Sequence, residues 1–475
     1  MRESRIGGKL RRLRRERGLT QVQMAEALGI SASYLNLLEH NQRPVTVPVL
    51  LKLAQNLSVD IAALTAEDDG RLVAELMEAF ADPLFDAEGV KAPDVRDLAA
   101  ASPELARAVA VLYRAYRTGR APQPDGAGAP ADESPAGIPS EEVSDFIQQR
   151  RNHFPELELA AEALWRDARL DPADLPRGLA GLLAQRFAVD VSVQPAAAMR
   201  GMLRHYDPTS RKLTLSEMLS ASGRAFQLAH QAALLGARAQ IERAAAGGKF
   251  TSADAESLAR VALANYVAAA VLMPYDRFLA AARSVRYDIE VLQHRFGTSF
   301  EQVCHRFTTL ARPGAEGVSF HLIRVDIAGN ISKRFSASGI RIARFGAACP
   351  RWNVYDAFAT PGMIRIQASR MPDGAAFFCL ARTVSQPGRA AGWGSGPDAR
   401  VGRLAIGIGC PLAQARDLVY ADGLDLDDPQ RFNPIGISCR VCERADCPDR
   451  AAPSLHHRVE VDENRRSLSA YMHGP

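Results

Sequence analysis

The chain has 475 residues, of which 47% are hydrophobic and 24% charged, and its formal net charge is +4. Length alone predicts about three domains at roughly 150 residues each, and the composition is that of globular domains, not of a collagenous or disordered chain. No run approaches the roughly 18 apolar residues of a membrane span and no apolar segment follows the basic N-terminus as in a secretory signal, so a cytoplasmic protein is expected, whose seven Cys read as thiols or metal ligands and not as disulfides.

Residues 1–17 hold eight Lys or Arg and two acids, a local +6 that leaves the rest of the chain at −2. Positive charge is therefore gathered at one end, where a polyanion would be met. The stretch Thr20–Glu39 follows. Thr20 is a hydroxyl N-cap, and Val22, Met24, Ala25 and Leu28 supply an apolar side. Gly29 lets the chain reverse, and Ser31 caps a second helix with Leu35 and Leu38 inward and Ser33, Tyr34 and Asn36 outward. This is a helix-turn-helix, whose second helix enters a DNA major groove. Gln21 and Arg43 are placed to touch phosphate. Ser31, Ser33, Tyr34 and Asn36 are the remaining DNA-binding candidates, with the last three meeting base edges; Asn pairs bidentately with adenine.

Val47–Leu57 reads as an amphipathic helix opened by Pro48, closing a DNA-binding domain at residues 1–65. Residues 66–117 are a helical connector with two apolar stripes, Leu72, Leu76 and Phe80 and then Leu105, Val109, Leu112 and Tyr116. Such stripes either pack internally or form the dimer contact that a two-fold operator reader needs, and the second reading is slightly favoured. Residues 118–140 are rich in Pro, Gly and Ala without an apolar period, and form a flexible linker.

The body beyond the linker, expected at 141–300 and 301–475, starts with helical spacing through Leu164. A helix Leu179–Phe187 then precedes short strands at Val189–Val193, Met202–Tyr206 and Lys212–Leu215. One long helix is expected over Ser222–Glu242 and another over Ala253–Leu272. This order resembles the zinc-peptidase-like domains that follow helix-turn-helix modules in bacterial regulators. A zincin helix needs His at i and i+4, with Glu at i+1 as general base. Here His230 is followed by Gln231, the i+4 residue is Leu234, and residues 261–265 lack an acidic third ligand. The pattern is a peptidase-like fold without peptidase ligands.

Strands are expected at Val318–Val325, Asn330–Phe335, Gly362–Gln367, Ala376–Ala381 and Leu404–Ile408. Arg351, Trp352, Tyr355 and Phe358 fall close together, either as a packed corner or as a place for a ring beside phosphate. Near the end, Cys439, Cys442 and Cys447 cluster at metal-ligand spacing, with Cys410, Cys349, His456 or His457 as the fourth donor. Thiolate ligation suits zinc or an iron–sulfur cluster.

Taken together, YLNLLEHNQRPVT, DIAGNISKRFSASG, CPRWNVYDAF, MPDGAAFFCLAR and CRVCERADCPDRAAP make the chain resemble the short-chain fatty acyl-CoA-responsive transcriptional regulators, along nearly its whole length. The resemblance implies an XRE-type helix-turn-helix, a degenerate ImmA/IrrE-like domain and a C-terminal short-chain fatty acyl regulator domain. The fold class is multidomain, mainly α with an α+β C-terminal body: a helix-turn-helix bundle, a zincin-like helical domain with short strands, and a mixed α/β Cys-containing domain. It also implies a non-enzymatic, cytoplasmic binder of double-stranded operator DNA, a homodimer or higher homo-oligomer, that senses acyl-CoA and controls propionate, acetate or related metabolism. The cofactor it implies is an iron–sulfur cluster, with zinc as the alternative, on Cys410, Cys439, Cys442 and Cys447. A CoA site needs cations for phosphates and an apolar end for the acyl group. Its candidates are Arg200, Arg204 and Tyr206, then Lys333 and Arg334, then Arg351 and Trp352, with Phe226 and His230 at the acyl end. Two rival readings stay open, an iron–sulfur redox sensor and a metallopeptidase-type anti-repressor.

Overall fold

The computed structural model describes residues 13–14, 19–39, 43, 45–46, 49, 52–53, 68–88, 90–117, 138–343, 348–385, 403–456, 464 and 468–469. Most of the expected linker, most of the basic N-terminal stretch, most of the Val47–Leu57 helix, the residues His40, Asn41 and Gln42, and His457 lie outside these residues; the linker's expected end at 138–140 instead opens a helix at Pro139. The chain forms two compact units, Met1–Pro122 with Arg450–Pro475, and Gln123–Asp449.

In the first unit, α1 (Gln21–Leu28) is opened by a capping box between Thr20 and Gln23 and closed by Gly29 at φ +60°. That left-handed turn is one that a β-carbon would strain. The second helix, α2 (Ala32–Glu39), starts where Ser31 Oγ accepts the Tyr34 N–H at 3.1 Å. Met24, Ala25, Leu28, Leu35, Leu38, Val49 and Leu53 form their common core. Val22, expected on the apolar side, is 56% exposed, because the core takes only the face carrying Met24, Ala25 and Leu28.

The connector is three helices, α3 (Asp68–Phe80), α4 (Ala92–Ala101) and α5 (Pro103–Arg117). The inner face of α5 is Ala106, Ala110 and Tyr113, whose hydroxyl donates to Asp82 at 2.9 Å. Small Ala side chains let the helices approach closely, so the larger Leu105, Leu112 and Tyr116 stay 53–63% exposed.

The second unit starts with α6 (Pro139–Gln149), α7 (Pro155–Ala168) and α8 (Leu175–Phe187). A small sheet of β1 (Asp190–Gln194), β2 (Arg204–Asp207) and β3 (Lys212–Ser216) follows, with the short α9 (Ala196–Met199) between its first two strands. Its order is β1-β3-β2, the first pair parallel and the second antiparallel. The single helix expected over Ser222–Glu242 is two, α10 (Ala221–Gly236) and α11 (Arg238–Ala246). They part where Gly236 admits the Leu164 methyl, which a β-carbon would meet at 2.7 Å. Next comes α12 (Ala253–Leu272), the central helix. It is long and apolar enough to cross a membrane, and more than half of its most apolar window is buried inside this unit.

Three short helices complete this layer: α13 (Tyr275–Ser284), α14 (Ile289–Phe296) and α15 (Phe300–Phe307). The remainder is a six-stranded sheet of β4 (His321–Asp326), β5 (Ile331–Ser336), β6 (Arg365–Arg370), β7 (Ala376–Ser385), β8 (Arg403–Pro411) and β9 (Asn433–Pro434), with α16 (Asn353–Asp356) before β6. Its order is β5-β4-β8-β7-β6-β9. Strand alternation divides two cores. Phe378, Leu380, Ile406, Ile408 and Cys410 join the helical core, whereas Phe377, Cys379, Ala381 and Ala405 join a second core with Cys349, Trp352 and Val354.

Candidate functional site

On the DNA-reading side, Ser31, Ser33 and Asn36 are exposed along α2, Tyr34 is half-buried against the core, and Arg43 is exposed in a bend. Gln21 reaches across from α1, donating to Asn36 Oδ1 at 3.2 Å and to Glu39 Oε2 at 3.0 Å. Glu39 is 3% exposed and also takes Arg14 through Nε at 2.6 Å and Nη2 at 3.1 Å. The polar side chain at the start of α1 is thus tied to the outward face of α2. Sequence spacing gave no sign of this Arg14–Glu39 clasp.

Two of the expected ligand contacts, Arg204 and His230, meet in the peptidase-like domain, with Tyr206 on the same strand and Phe226 on the same helix. Arg204 and Tyr206 sit opposite Leu215 and Leu213 in the β2–β3 register, so they share the sheet face of those buried leucines. Phe226 and His230 are one turn apart on α10. The Arg204 guanidinium contacts His230 Nδ1. A guanidinium only donates, so Nδ1 is the acceptor and the imidazole proton sits on Nε2. Burial, and then Arg204, hold the His230 pKa down at about 4. Gln231, where a peptidase has its base, is 1% exposed with Oε1 unpaired. The donor set does not suit zinc: His230's Nδ1 lone pair is taken by a cation and Leu234 offers none.

The other expected ligand contacts lie elsewhere. Arg200 is exposed in a left-handed turn at φ +49°. Lys333 and Arg324 share Glu301 at 3.4 and 2.8 Å, with His305 at 3.7 Å. Against the opposing effect of burial, the hydrogen bond with His305, and then Lys333 and Arg324, hold the Glu301 carboxyl well below the usual carboxylate range. Arg334 is paired with Glu141. Arg351 binds Asn433 Oδ1 at 2.7 Å and Asp449 at 2.7 Å. Trp352 is 6% exposed and donates to the Gly436 carbonyl at 3.0 Å, which makes it a core side chain without a free face for stacking.

The thiols also divide. Cys410 is fully buried in the helix-facing core, on the sheet face opposite to Cys349. Cys349 is the thiol beside the C-terminal group: its N–H donates to Ile437 at 2.9 Å, and burial, with Cys439 and Cys442 adding, pushes it up to about 11. Gly436 makes room there, since a β-carbon would lie 2.8 Å from Cys442 Sγ. Of the two, it is Cys349 and not Cys410 that stands near Cys439 and Cys442. Among the described residues no three His, Cys, Asp or Glu side chains converge to hold a metal ion. The thiol chemistry suits a cluster, but the spacing as it stands does not.

One arrangement was not expected. His321, Gly409 and Cys379 are register partners across β4, β8 and β7. Gly409 carries no side chain, so the imidazole spans the gap, with Nε2 at 3.6 Å from Cys379 Sγ and Nδ1 at 2.8 Å from Ser338 Oγ. A cavity of about 20 Å³, one water in size, lies alongside. Burial holds His321 down at about 3 and pushes Cys379 up to about 12, so the pair is neutral and not a nucleophile with its base. The alternating glycines of IGIGC were the available signal.

Comparison with known proteins agrees with this layout. Residues 10–64 match a helix-turn-helix model, 184–308 an IrrE N-terminal-like domain, and 309–471 the C-terminal domain of a short-chain fatty acyl coenzyme A regulator. The chain is 41% identical to the HTH-type transcriptional regulator RamB of Mycobacterium tuberculosis strain H37Rv, over 98% of each chain. It is 41% identical to PrpR of the same strain, over 98% of this chain and 95% of that one, and 42% identical to a propionyl-CoA carboxylase regulator of Cereibacter sphaeroides, over 98% of each. A solved Mycobacterium tuberculosis transcriptional regulator, 41% identical, superposes with a TM-score of 0.66 and covers 71% of this chain and all of that one.

Proposed function

The chain belongs to the helix-turn-helix transcriptional regulators of the RamB and PrpR type that end in a short-chain fatty acyl coenzyme A regulator domain, and from that membership we propose that it senses a short-chain acyl-CoA and adjusts transcription of acyl-CoA metabolism. A relative named for propionyl-CoA carboxylase regulation supports propionyl-CoA as the first ligand to test. The observation that carries the reading is the Arg204–His230 contact. A cleft of peptidase type has its one metal-type ligand held by a guanidinium, which leaves no hydrolytic centre. It offers instead a desolvated cation with no acidic partner among the described residues, beside the half-buried Phe226 and Tyr206. Such a cation suits a thioester carbonyl or a phosphate, and the rings suit a short acyl chain.

Acyl-CoA then acts by population shift: it favours whichever arrangement it binds better, by about 1.4 kcal/mol per tenfold preference, and a cytoplasmic homodimer on paired half-sites reads the change out. The exposed Leu105, Leu112 and Tyr116 of α5 support the dimer reading. The test is calorimetry of the full chain with CoA and acetyl-, propionyl- and butyryl-CoA, then gel shifts on its own upstream DNA. Saturable heat for a short acyl-CoA and a matching change in DNA affinity are expected. No heat for any thioester overturns the reading.

A second reading has its own support. Cys349 lies near Cys439 and Cys442, and an iron–sulfur cluster, or zinc, would need these thiols and Cys447 drawn closer together than they stand. A cluster would make the chain redox-responsive. DNA affinity that follows oxidation and ignores acyl-CoA would favour this over the first reading.

A further inference from the structure

The first strand pair to lose a neighbour in the large sheet is β7–β8. Strand β6 begins at Arg365, opposite Ala381, so Arg382–Ser385 of β7 run past its end. An open groove of about 420 Å³ lies there, lined by Gln293 and Phe300 from the helices and by Arg382, Thr383, Ser385 and Arg403 from the strands. That volume falls in the range of small-molecule sites, roughly 300–1,000 Å³.

The groove has more donors than acceptors. Glu290 meets Arg382 at 3.0 Å, and that guanidinium also lies 5.2 Å over the Phe300 ring, which fixes it in place. Arg403 is exposed and has no acidic partner among the described residues. It stands opposite Ser385 in the register, so a guanidinium and a hydroxyl share one face. Two guanidiniums, the Ser385 hydroxyl and the Gln293 amide around one concavity, with Glu290 already engaged and the Thr383 hydroxyl taken by the Gly362 N–H, recognise a multiply charged oxyanion. The volume is far larger than a bare ion needs, and leaves space for the organic part of an ester.

We propose that this groove binds a phosphate ester, with Arg403 as its free anchor and Arg382 as its fixed one. Two sources carry this chemistry, the nucleotide end of CoA and a free nucleotide. Only the first rests on the acyl-CoA reading above.

The experiment is calorimetry on the full chain with adenosine 3′,5′-bisphosphate, inorganic phosphate, propionyl-CoA and propionyl-pantetheine, which lacks the nucleotide. The bisphosphate is expected to bind more tightly than inorganic phosphate. Arg403→Ala should weaken it about tenfold or more, while Arg416→Ala, an exposed arginine paired with Asp427, leaves it unchanged. No bisphosphate binding, or binding indifferent to Arg403→Ala, overturns the proposal. If propionyl-CoA displaces the bisphosphate and loses affinity in Arg403→Ala while propionyl-pantetheine does not, the ester is that of CoA. If bisphosphate binds through Arg403 but propionyl-CoA does not compete, the groove serves a free nucleotide, and the acyl-CoA reading is decided separately by its own titration.

Discussion

Arg204 donates its guanidinium to Nδ1 of His230, so a strand of the small sheet holds the one metal-type ligand left on the peptidase-like helix. This contact requires neutral imidazole. The folded pKa, about 4, is below the ordinary 6.5, so the unfolded chain takes up the proton first as pH falls. The contribution is present above about pH 6.5 and lost progressively toward pH 4. Each pH unit in that window costs up to about 1.4 kcal/mol. Thermal unfolding between pH 7 and 4 should show this loss, and His230→Gln should flatten part of it. A curve with unchanged slope in the variant would place the titration elsewhere.

A second buried contact is expected to matter more for stability than for sensing. Arg306, wholly buried, makes a two-pronged pair with Glu158 at 2.6 and 2.9 Å, and also donates to Met273 O at 2.9 Å and Thr309 Oγ1 at 2.9 Å. Tyr266 donates to the same carboxylate at 2.6 Å. Truncation of one partner leaves a charge in the core, so Arg306→Ala should cost about 3–5 kcal/mol. Denaturant unfolding measures it. A loss below 1 kcal/mol would mean that water or a rearranged side chain satisfies Glu158.

Much of this fold was legible in the sequence, for physical reasons that differ by region. The helix-turn-helix could be read because its signals are local: Thr20 and Ser31 cap, Gly29 turns, and the leucines keep period. The strands of the large sheet could be read from alternation, though β8 extends to Pro411 because its outer residues are buried by neighbours on both sides. Long-range pairings were not legible. Arg306 and Glu158 are 148 residues apart, and nothing local marks either as buried. Likewise, spacing around the C-terminal cysteines gave no sign that Cys410 joins the helix-facing core while Cys349 joins the other; strand alternation in the folded sheet places them. Of the CoA candidates, Arg204 and His230 meet although 26 residues apart, while Trp352, for which a packed corner and a ring site were both open, is buried by its neighbours.

The thiol arrangement makes a discriminating prediction. If an iron–sulfur cluster is present, protein purified without oxygen carries iron and sulfide and absorbs in the visible range. Cys349→Ser should lower the iron content as far as Cys439→Ser does, whereas Cys410→Ser should keep it, because Cys410 faces the helical core. Iron retained in Cys349→Ser but lost in Cys410→Ser would reverse the assignment. Removal of metal by a chelator should leave the secondary structure of the helical core intact, which circular dichroism would show.

The reading helix offers the last prediction. Asn36 is exposed on α2 and accepts a hydrogen bond from Gln21, itself anchored to Glu39. An amide held in one orientation presents a fixed donor and acceptor pair to a base, which is what bidentate contact with adenine demands. Asn36→Ala should therefore cost about 1–3 kcal/mol on the operator and little on unrelated DNA. Gln21→Ala should cost part of that by freeing the amide to rotate. Arg43→Ala should instead weaken specific and unrelated DNA alike, and flatten the salt dependence by roughly one phosphate contact. Gel shifts at two salt concentrations separate the two patterns. Equal losses on both DNAs for Asn36→Ala would assign that residue to the backbone instead of the bases.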